Sequence, residues 1–383
     1  MWHIVTGEYP PQPGGVSAYT RQVARGLAAA GDGVTVWAPP APSADAVDEG
    51  ITVRRLPDRF GRRSLRTLDL ALDAQPRPQR LLLQYVPHAF GWKGANLPFC
   101  RWAASRRHDS LWVMFHEVAF PFDARQSPLR NALAAANRVM ARRVARAAAR
   151  IFVSIPAWRP MIESLVGHDV DAAWLPVPSG IAVDGDGSRA RAVRERIGGG
   201  RPIVGHFGTY PAPIRDLLAR AAAPLLERTD CRLLLIGPRG ARLRDELVAR
   251  DHRLDARVLS TGALPEPDVS AHIAACDVML QPYPDGISSR RTSAMAALAH
   301  GIPVVSTIGW LTEPLWRTSE SIALVDVDDP VALADEAAGL LASDDRRARI
   351  AAGGRRLYAS RFDLRHTIAA LRGQSAAAAP VCA

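Results

Sequence analysis

Met1-Trp2-His3-Ile4-Val5 opens the chain as an apolar run, Pro10-Pro11-Gln12-Pro13-Gly14-Gly15-Val16 interrupts it, and Val16, Tyr19, Val23 and Leu27 then recur at helical spacing. This is a strand, a glycine turn and the start of an amphipathic helix. The first N–H groups of such a helix have no partners within it and point back at Gly14 and Gly15, where no side chain blocks an anion. The stretch reads either as a phosphate cradle or as a tight connection that needs positive φ.

The same alternation runs through the chain. Apolar runs at 2–5, 33–37, 53–56, 81–85, 111–115 and 151–154 are separated by helical patterns, as in a parallel sheet covered on both faces. The pattern stops around 174–180, a polar glycine-rich stretch leads to Gly200, and strands resume at 202–207, 232–236, 257–260, 278–281, 303–306 and 322–325. The expected class is α/β, with two Rossmann-like, doubly wound parallel-sheet domains at 1–178 and 179–357. Residues 374–383 read as an alanine-rich tail with nothing to bury. Because ligands in open α/β sheets collect at strand C-termini, two such domains imply a cleft lined by two sets of loops.

The 383 residues are 48% hydrophobic and 22% charged, as in a folded globular protein. The net charge of +10 comes almost wholly from arginine, Lys93 being the only lysine, and guanidinium grips phosphate at two points. Acidic partners are favoured, but no zinc-finger spacing, aromatic RNA-binding signature or helix-turn-helix pattern argues for nucleic acid. Cys100, Cys231, Cys276 and Cys382 are scattered and form no disulfide framework or metal set. Asp184-Gly185-Asp186 lies in a glycine-rich stretch where acids are common, so no metal is expected. The start lacks a signal-peptide pattern and no apolar run approaches the ~20 residues that span a bilayer, so a cytoplasmic enzyme is expected. Arg138, Arg142, Arg146 and Arg150 recur every four residues, as a solvated face or as a stripe for peripheral contact with anionic lipid at the inner membrane surface.

A second anion trap follows the strand that ends at Gln281: Pro282-Tyr283-Pro284-Asp285-Gly286-Ile287-Ser288-Ser289-Arg290-Arg291-Thr292-Ser293, then an apolar helix. Backbone N–H groups, the hydroxyls of Ser288, Ser289 and Thr292, and two fixed guanidinium charges suit a leaving diphosphate, whose charge grows in the transition state. His116 and Glu117 end another strand, where the ring can bind or deprotonate. The loops Tyr85-Val86-Pro87-His88-Ala89-Phe90-Gly91-Trp92 and Phe120-Pro121-Phe122 offer aromatic faces for an acceptor, or for core packing.

The order Pro10-Pro11, Gly14-Gly15-Val16, His116, Val153-Ser154, Pro176-Val177-Pro178-Ser179, Gly205-His206-Phe207-Gly208, Leu235-Ile236-Gly237, Thr261-Gly262 and Gly301-Ile302-Pro303-Val304-Val305 resembles family-4 glycosyltransferases of GT-B fold over nearly the whole chain. The resemblance implies a retaining, metal-free transfer from a UDP-sugar or GDP-sugar as co-substrate, with no other cofactor. The donor is held mostly by the second domain and an unidentified acceptor by the first. Under it Gly14 and Gly15 offer N–H groups to the donor phosphates, His116 lies beside the sugar, and Gly208 and Arg215 hold the diphosphate. Gly237 to Arg239 and Gly262 to Leu264 frame the base, and residues 358–373 pack back toward the first domain; Arg290 and Arg291 are the candidate catalytic charges on the chemistry of their own loop. Glu8, Tyr85, His88 and Glu117 are the candidate acceptor contacts. These enzymes usually carry two glutamates eight positions apart in the second loop. Here the pair is Asp285 and Ser293, with the next helix about one turn longer than usual, or Ser288 and Ala296 if Gly301 anchors the match. The usual lysine after Gly208 is replaced by Arg215. A nucleotide-sugar epimerase and a non-catalytic sugar-nucleotide binder are the alternatives.

Overall fold

The computed structural model describes residues 1–41 and 48–373, so the tail 374–383, with Cys382, lies outside the described residues. The chain divides into two compact units: Met1–Pro176 together with Leu364 onward, and Val177–Asp363.

The first unit holds β1 (Trp2–Thr6), β2 (Val34–Ala38), β3 (Ile51–Arg55), β4 (Arg80–Tyr85), β5 (Ser110–Phe115), β6 (Arg150–Val153) and β7 (Ala172–Trp174). They form one sheet in the order β3-β2-β1-β4-β5-β6-β7, parallel throughout. Central β1 is buried at every residue, whereas edge strand β3 alternates half-buried Ile51, Val53 and Arg55 with exposed Thr52 and Arg54. This is the burial expected of a sheet covered by helices on both faces.

The second unit holds β8 (Ile203–Phe207), β9 (Arg232–Ile236), β10 (Val258–Gly262), β11 (Val278–Gln281), β12 (Val304–Ile308) and β13 (Ala323–Asp326), ordered β10-β9-β8-β11-β12-β13 and again parallel. Leu218, Leu225, Leu233, Leu235, Leu247 and Leu333 pack its core. Truncation of such a leucine to alanine costs ~2–5 kcal/mol, so the core fixes the strand ends from which the loops spring.

Three expectations are corrected. The first half holds one strand more than its apolar runs mark, because Ala172–Trp174 joins the first sheet as a seventh strand. The polar stretch before Gly200 contains a helix, Ser188–Gly198, whose burial is confined to Val193, Ile197 and Gly198. The arginine stripe is broken: Arg138 lies 3.8 Å over the Phe122 ring, Arg146 donates to the Val166 carbonyl, and Arg150 belongs to β6 and stacks over Trp112.

The chain returns to the first unit at Leu364, and the helix Leu364–Leu371 seats Ile368 against Gly26, where a Cβ would come within 2.6 Å of it. Arg372 pairs with Asp32 at 3.0 Å.

A buried carboxylate anchors the loop between β1 and the first helix. Asp48 accepts from the Tyr9 hydroxyl at 2.8 Å and pairs with Arg21 and Arg25, each at 2.7 Å. Arg55 donates to the Pro10 carbonyl and lies over the Tyr9 ring. Burial works to raise the Asp48 pKa, but the hydrogen bonds from Tyr9 and Arg21 and the two arginine charges outweigh it and hold the group below its ordinary value.

Candidate functional site

Both sheets reverse their strand order at one point, between β1 and β4 in the first unit and between β8 and β11 in the second. The loops leaving these strands are where α/β sheets bind ligands.

In the first unit, Gly14 precedes the helix Gly15–Ala29. The cradle there is partly filled from inside, because a Glu8 oxygen accepts from the Ser17 N–H at 3.2 Å. A side chain at Gly14 would meet the other Glu8 oxygen within 2.7 Å. Burial raises the Glu8 pKa, opposed chiefly by the Ser17 N–H and then by His88 and the Val16 N–H. Gly15 stays exposed.

His116 follows β5 and is held by its backbone: its N–H donates to Tyr85, and its carbonyl accepts from Ser154 Oγ at 3.1 Å and Trp158 Nε1 at 2.9 Å. The ring meets Tyr19 edge to face at 4.8 Å, and Nε2 is 2.8 Å from Gln84 Oε1. With that oxygen accepting, Nε2 carries the proton and Nδ1 keeps the lone pair. Glu117 lies 3.8 Å from His88, which stacks on Phe120. Glu8, His88 and Glu117 are thus neighbours, whereas Tyr85 is a correction: its ring is fully buried between Phe90 and Phe115, out of reach of an acceptor.

Burial pulls the His116 imidazole from its ordinary 6.5 down to about 3. It pulls His206 to about 4, against the opposing hydrogen bond from its ring to the Leu280 carbonyl. Both folded values lie below the unfolded one, so the unfolded chain takes protons first as the pH falls. Stability that depends on neutral rings is therefore complete above about pH 6.5 and drains toward pH 4, at roughly 1 kcal/mol per pH unit for each ring. Urea midpoints are expected to fall between pH 6.5 and 5, and less steeply in His116→Gln. An acid limb of kcat near pH 6.5 that vanishes in His116→Gln would instead make this ring a base.

In the second unit, Gly208, Gly237 and Gly262 come together at the ends of β8, β9 and β10. The Gly208 N–H donates to Ile236, the Gly237 N–H to Thr261 Oγ1, and Gly237 bridges Gly262. Gly237 has φ +130°, and a Cβ there would overlap the Gly208 carbonyl, so only glycine allows this approach. Leu264 is half-buried and Arg239 exposed beside them. Arg215 is paired with Glu246 at 3.2 Å, so its charge is already partly answered.

The loop after β11 is clamped to β12 and to the loop that follows it. The Tyr283 N–H donates to Thr307 Oγ1 and the Ile287 N–H to the Thr307 carbonyl, while the Leu311 N–H donates to Asp285. Gly286, at φ +84°, lies so close to Gly309 that a Cβ would overlap it. On this base the Asp285 carboxylate bridges Arg290 and Arg291. Arg291 also lies 4.5 Å over the Tyr283 ring, whose hydroxyl is 2.8 Å from Ser293 Oγ. Two guanidinium groups thus meet on one carboxylate. Thr292 opens the helix Thr292–His300.

Ser289 is a further correction. It is fully buried, and its N–H and hydroxyl both serve Glu313, so its side chain holds the loop rather than facing a ligand. Ser288 is buried as well, and its hydroxyl finds no hydrogen-bond partner among the described residues. Glu313 escaped the sequence reading, since an acid ahead of Pro314 looks like a helix cap. No group of metal-ligating side chains occurs among the described residues, and none of their helices is long and apolar enough to cross a membrane.

Comparison with known proteins agrees with this geometry. The model of the Glycosyl transferase 4-like domain matches residues 14–163, and that of Glycosyl transferases group 1 matches residues 201–343. A D-inositol 3-phosphate glycosyltransferase of Xylanimonas cellulosilytica is 32% identical over 199 residues, 49% of this chain, and the match spans 45% of that protein. Among solved structures, sucrose-phosphate synthase of Thermosynechococcus elongatus superposes with TM-score 0.72 at 19% identity over 98% of both chains. Anabaena HepE, solved in complex with UDP and glucose, gives 0.69 at 16% identity over 97% of this chain and 99% of its own. With one family model on each of two Rossmann-like units of GT-B type, the chain belongs to the family-4-like glycosyltransferases.

Proposed function

We propose that this glycosyltransferase moves a sugar, with retention of configuration, from a nucleotide-diphosphate sugar to a hydroxyl of a small-molecule, glycan or lipid-linked acceptor. The observation that carries the reading is the pair of guanidinium groups, Arg290 and Arg291, held together on the Asp285 carboxylate at the strand ends of the second unit. Diphosphate charge that develops as the glycosidic bond breaks meets guanidinium groups already held in place, which lowers the barrier without reorganisation. In this reading the arginines do the work a metal ion does elsewhere. The glycine turns at Gly208, Gly237 and Gly262 let a nucleotide approach the backbone closely. A UDP-sugar is the favoured donor, since HepE was solved with UDP and a trehalose-phosphate synthase of the same fold is described as UDP-forming. His116, neutral at working pH, hydrogen-bonds substrate rather than removing its proton, and Glu8, His88 and Glu117 offer polar contacts for the acceptor.

The test is to incubate the full chain with α-linked UDP- and GDP-sugars and candidate acceptors, following released diphosphate and product anomer by NMR. An α-linked product with release of UDP is expected. A β-linked product overturns retention, and a donor isomerised without transfer makes the protein an epimerase. Absence of binding to every nucleotide overturns the reading.

A further inference from the structure

Ser289 stands one residue before Arg290, and it is tied to both places where the chain passes between the units. Its carbonyl accepts from the N–H of Val177, the first residue of the second unit, at 3.0 Å. Its N–H reaches Glu313 Oε1 at 3.0 Å and its hydroxyl the same oxygen at 2.5 Å. The second Glu313 oxygen accepts from Trp316 Nε1 at 2.6 Å. Trp316 stacks on Phe362 with centroids 5.3 Å apart and planes within 2°, and the chain leaves this unit one residue later, after Asp363. Near the first crossing, the Ser179 N–H donates to the Tyr358 hydroxyl at 3.2 Å, linking the two crossings to each other.

Ser289 at 0%, Glu313 at 7%, and Trp316 and Phe362 at 1% exposure are all buried. A buried carboxylate is costly unless its lone pairs are used, and here three donors use them. The result is a continuous chain of contacts from Ser289, next to Arg290, to both crossings.

We infer that Glu313 is a positioning residue that couples nucleotide binding at Arg290 and Arg291 to the crossing segments at residues 177–179 and 358–363. The inference rests on the proposed reading of the arginine loop as a diphosphate site. Glu313→Gln keeps the shape but leaves one acceptor oxygen for three donors, and its NH2 group faces a donor.

The experiment is hydrogen–deuterium exchange of the full chain with and without UDP, beside calorimetric UDP binding and kinetics. In the unmodified protein UDP is expected to slow exchange in the loop 285–292 and in both crossing segments. In Glu313→Gln, loop protection should persist with UDP affinity within about threefold, protection of the crossings should be lost, and kcat should fall about tenfold with little change in donor KM. If that variant does not fold, Trp316→Phe keeps the stacked ring and removes one donor, and should lose protection at 358–363 alone. Protection confined to the loop in the unmodified protein, or crossings still protected in the variants, overturns the coupling while leaving the diphosphate site intact. A protein that binds no UDP and no other nucleotide diphosphate removes the site and the coupling together.

Discussion

Arg291→Ala is expected to lower kcat with a nucleotide sugar at least ~10²-fold, a loss typical of removing one preorganised donor from a site of developing charge. Arg290 and Arg291 share the carboxylate of Asp285, so deleting either guanidinium removes one of the two fixed positive charges held there. An incoming diphosphate then meets one guanidinium group instead of two. Arg291 is the more telling of the two, because it is held over Tyr283, at the base of the loop. Burial and then the Arg290 charge lower its pKa, so an anion entering the site relieves a strain between like charges. Asp285→Asn works in the opposite direction and is expected to tighten UDP binding, because it removes the negative charge that opposes an anion beside the two guanidinium groups. Steady-state kinetics and UDP calorimetry on the three proteins check this, and unchanged values in both variants would take the loop out of the mechanism.

Asp48→Ala is expected to destabilise the first unit by about 3 kcal/mol, near the low end of the loss on breaking a buried ion pair. Asp48 itself is buried, but the side chains of Arg21 and Arg25 are 25% and 49% exposed and can be hydrated once their partner is gone. The Tyr9 hydroxyl is less fortunate, being left in a residue only 1% exposed with its acceptor removed. The sign with pH follows from the lowered pKa: Asp48 contributes fully above the ordinary carboxylate range, and its contribution is lost as pH falls through the folded value. Urea unfolding at pH 7 should show a clear drop in midpoint, narrowing in acid, and equal midpoints would make the cluster a surface ornament.

The alternation that set the fold was legible because each central strand is an apolar run bounded by turn residues, as in 2–5 and 278–281. The third residue of Ala172–Trp174 is the only large one, and three residues are too short for a period to show. The helix Ser188–Gly198 was hidden because arginine fills its exposed face and it buries so little. The site divides in the same way. Gly208, Gly237, Asp285, Arg290 and Arg291 were readable, since local turn chemistry and charge mark them. Glu313 was not, because its meaning depends on Ser289, 24 positions earlier. Asp48 was equally silent, its partner Tyr9 lying 39 positions before it.

The helix Leu364–Leu371 closes over Gly26 in a unit whose other elements all lie before residue 176. On the ribosome, therefore, the half of the protein that is made first is finished last. The second unit has all of its strands and can fold while the first still waits with an uncovered face for its final helix. A chain cut after Asp363 would keep every strand of both sheets and still release a first unit with an apolar scar along Gly26.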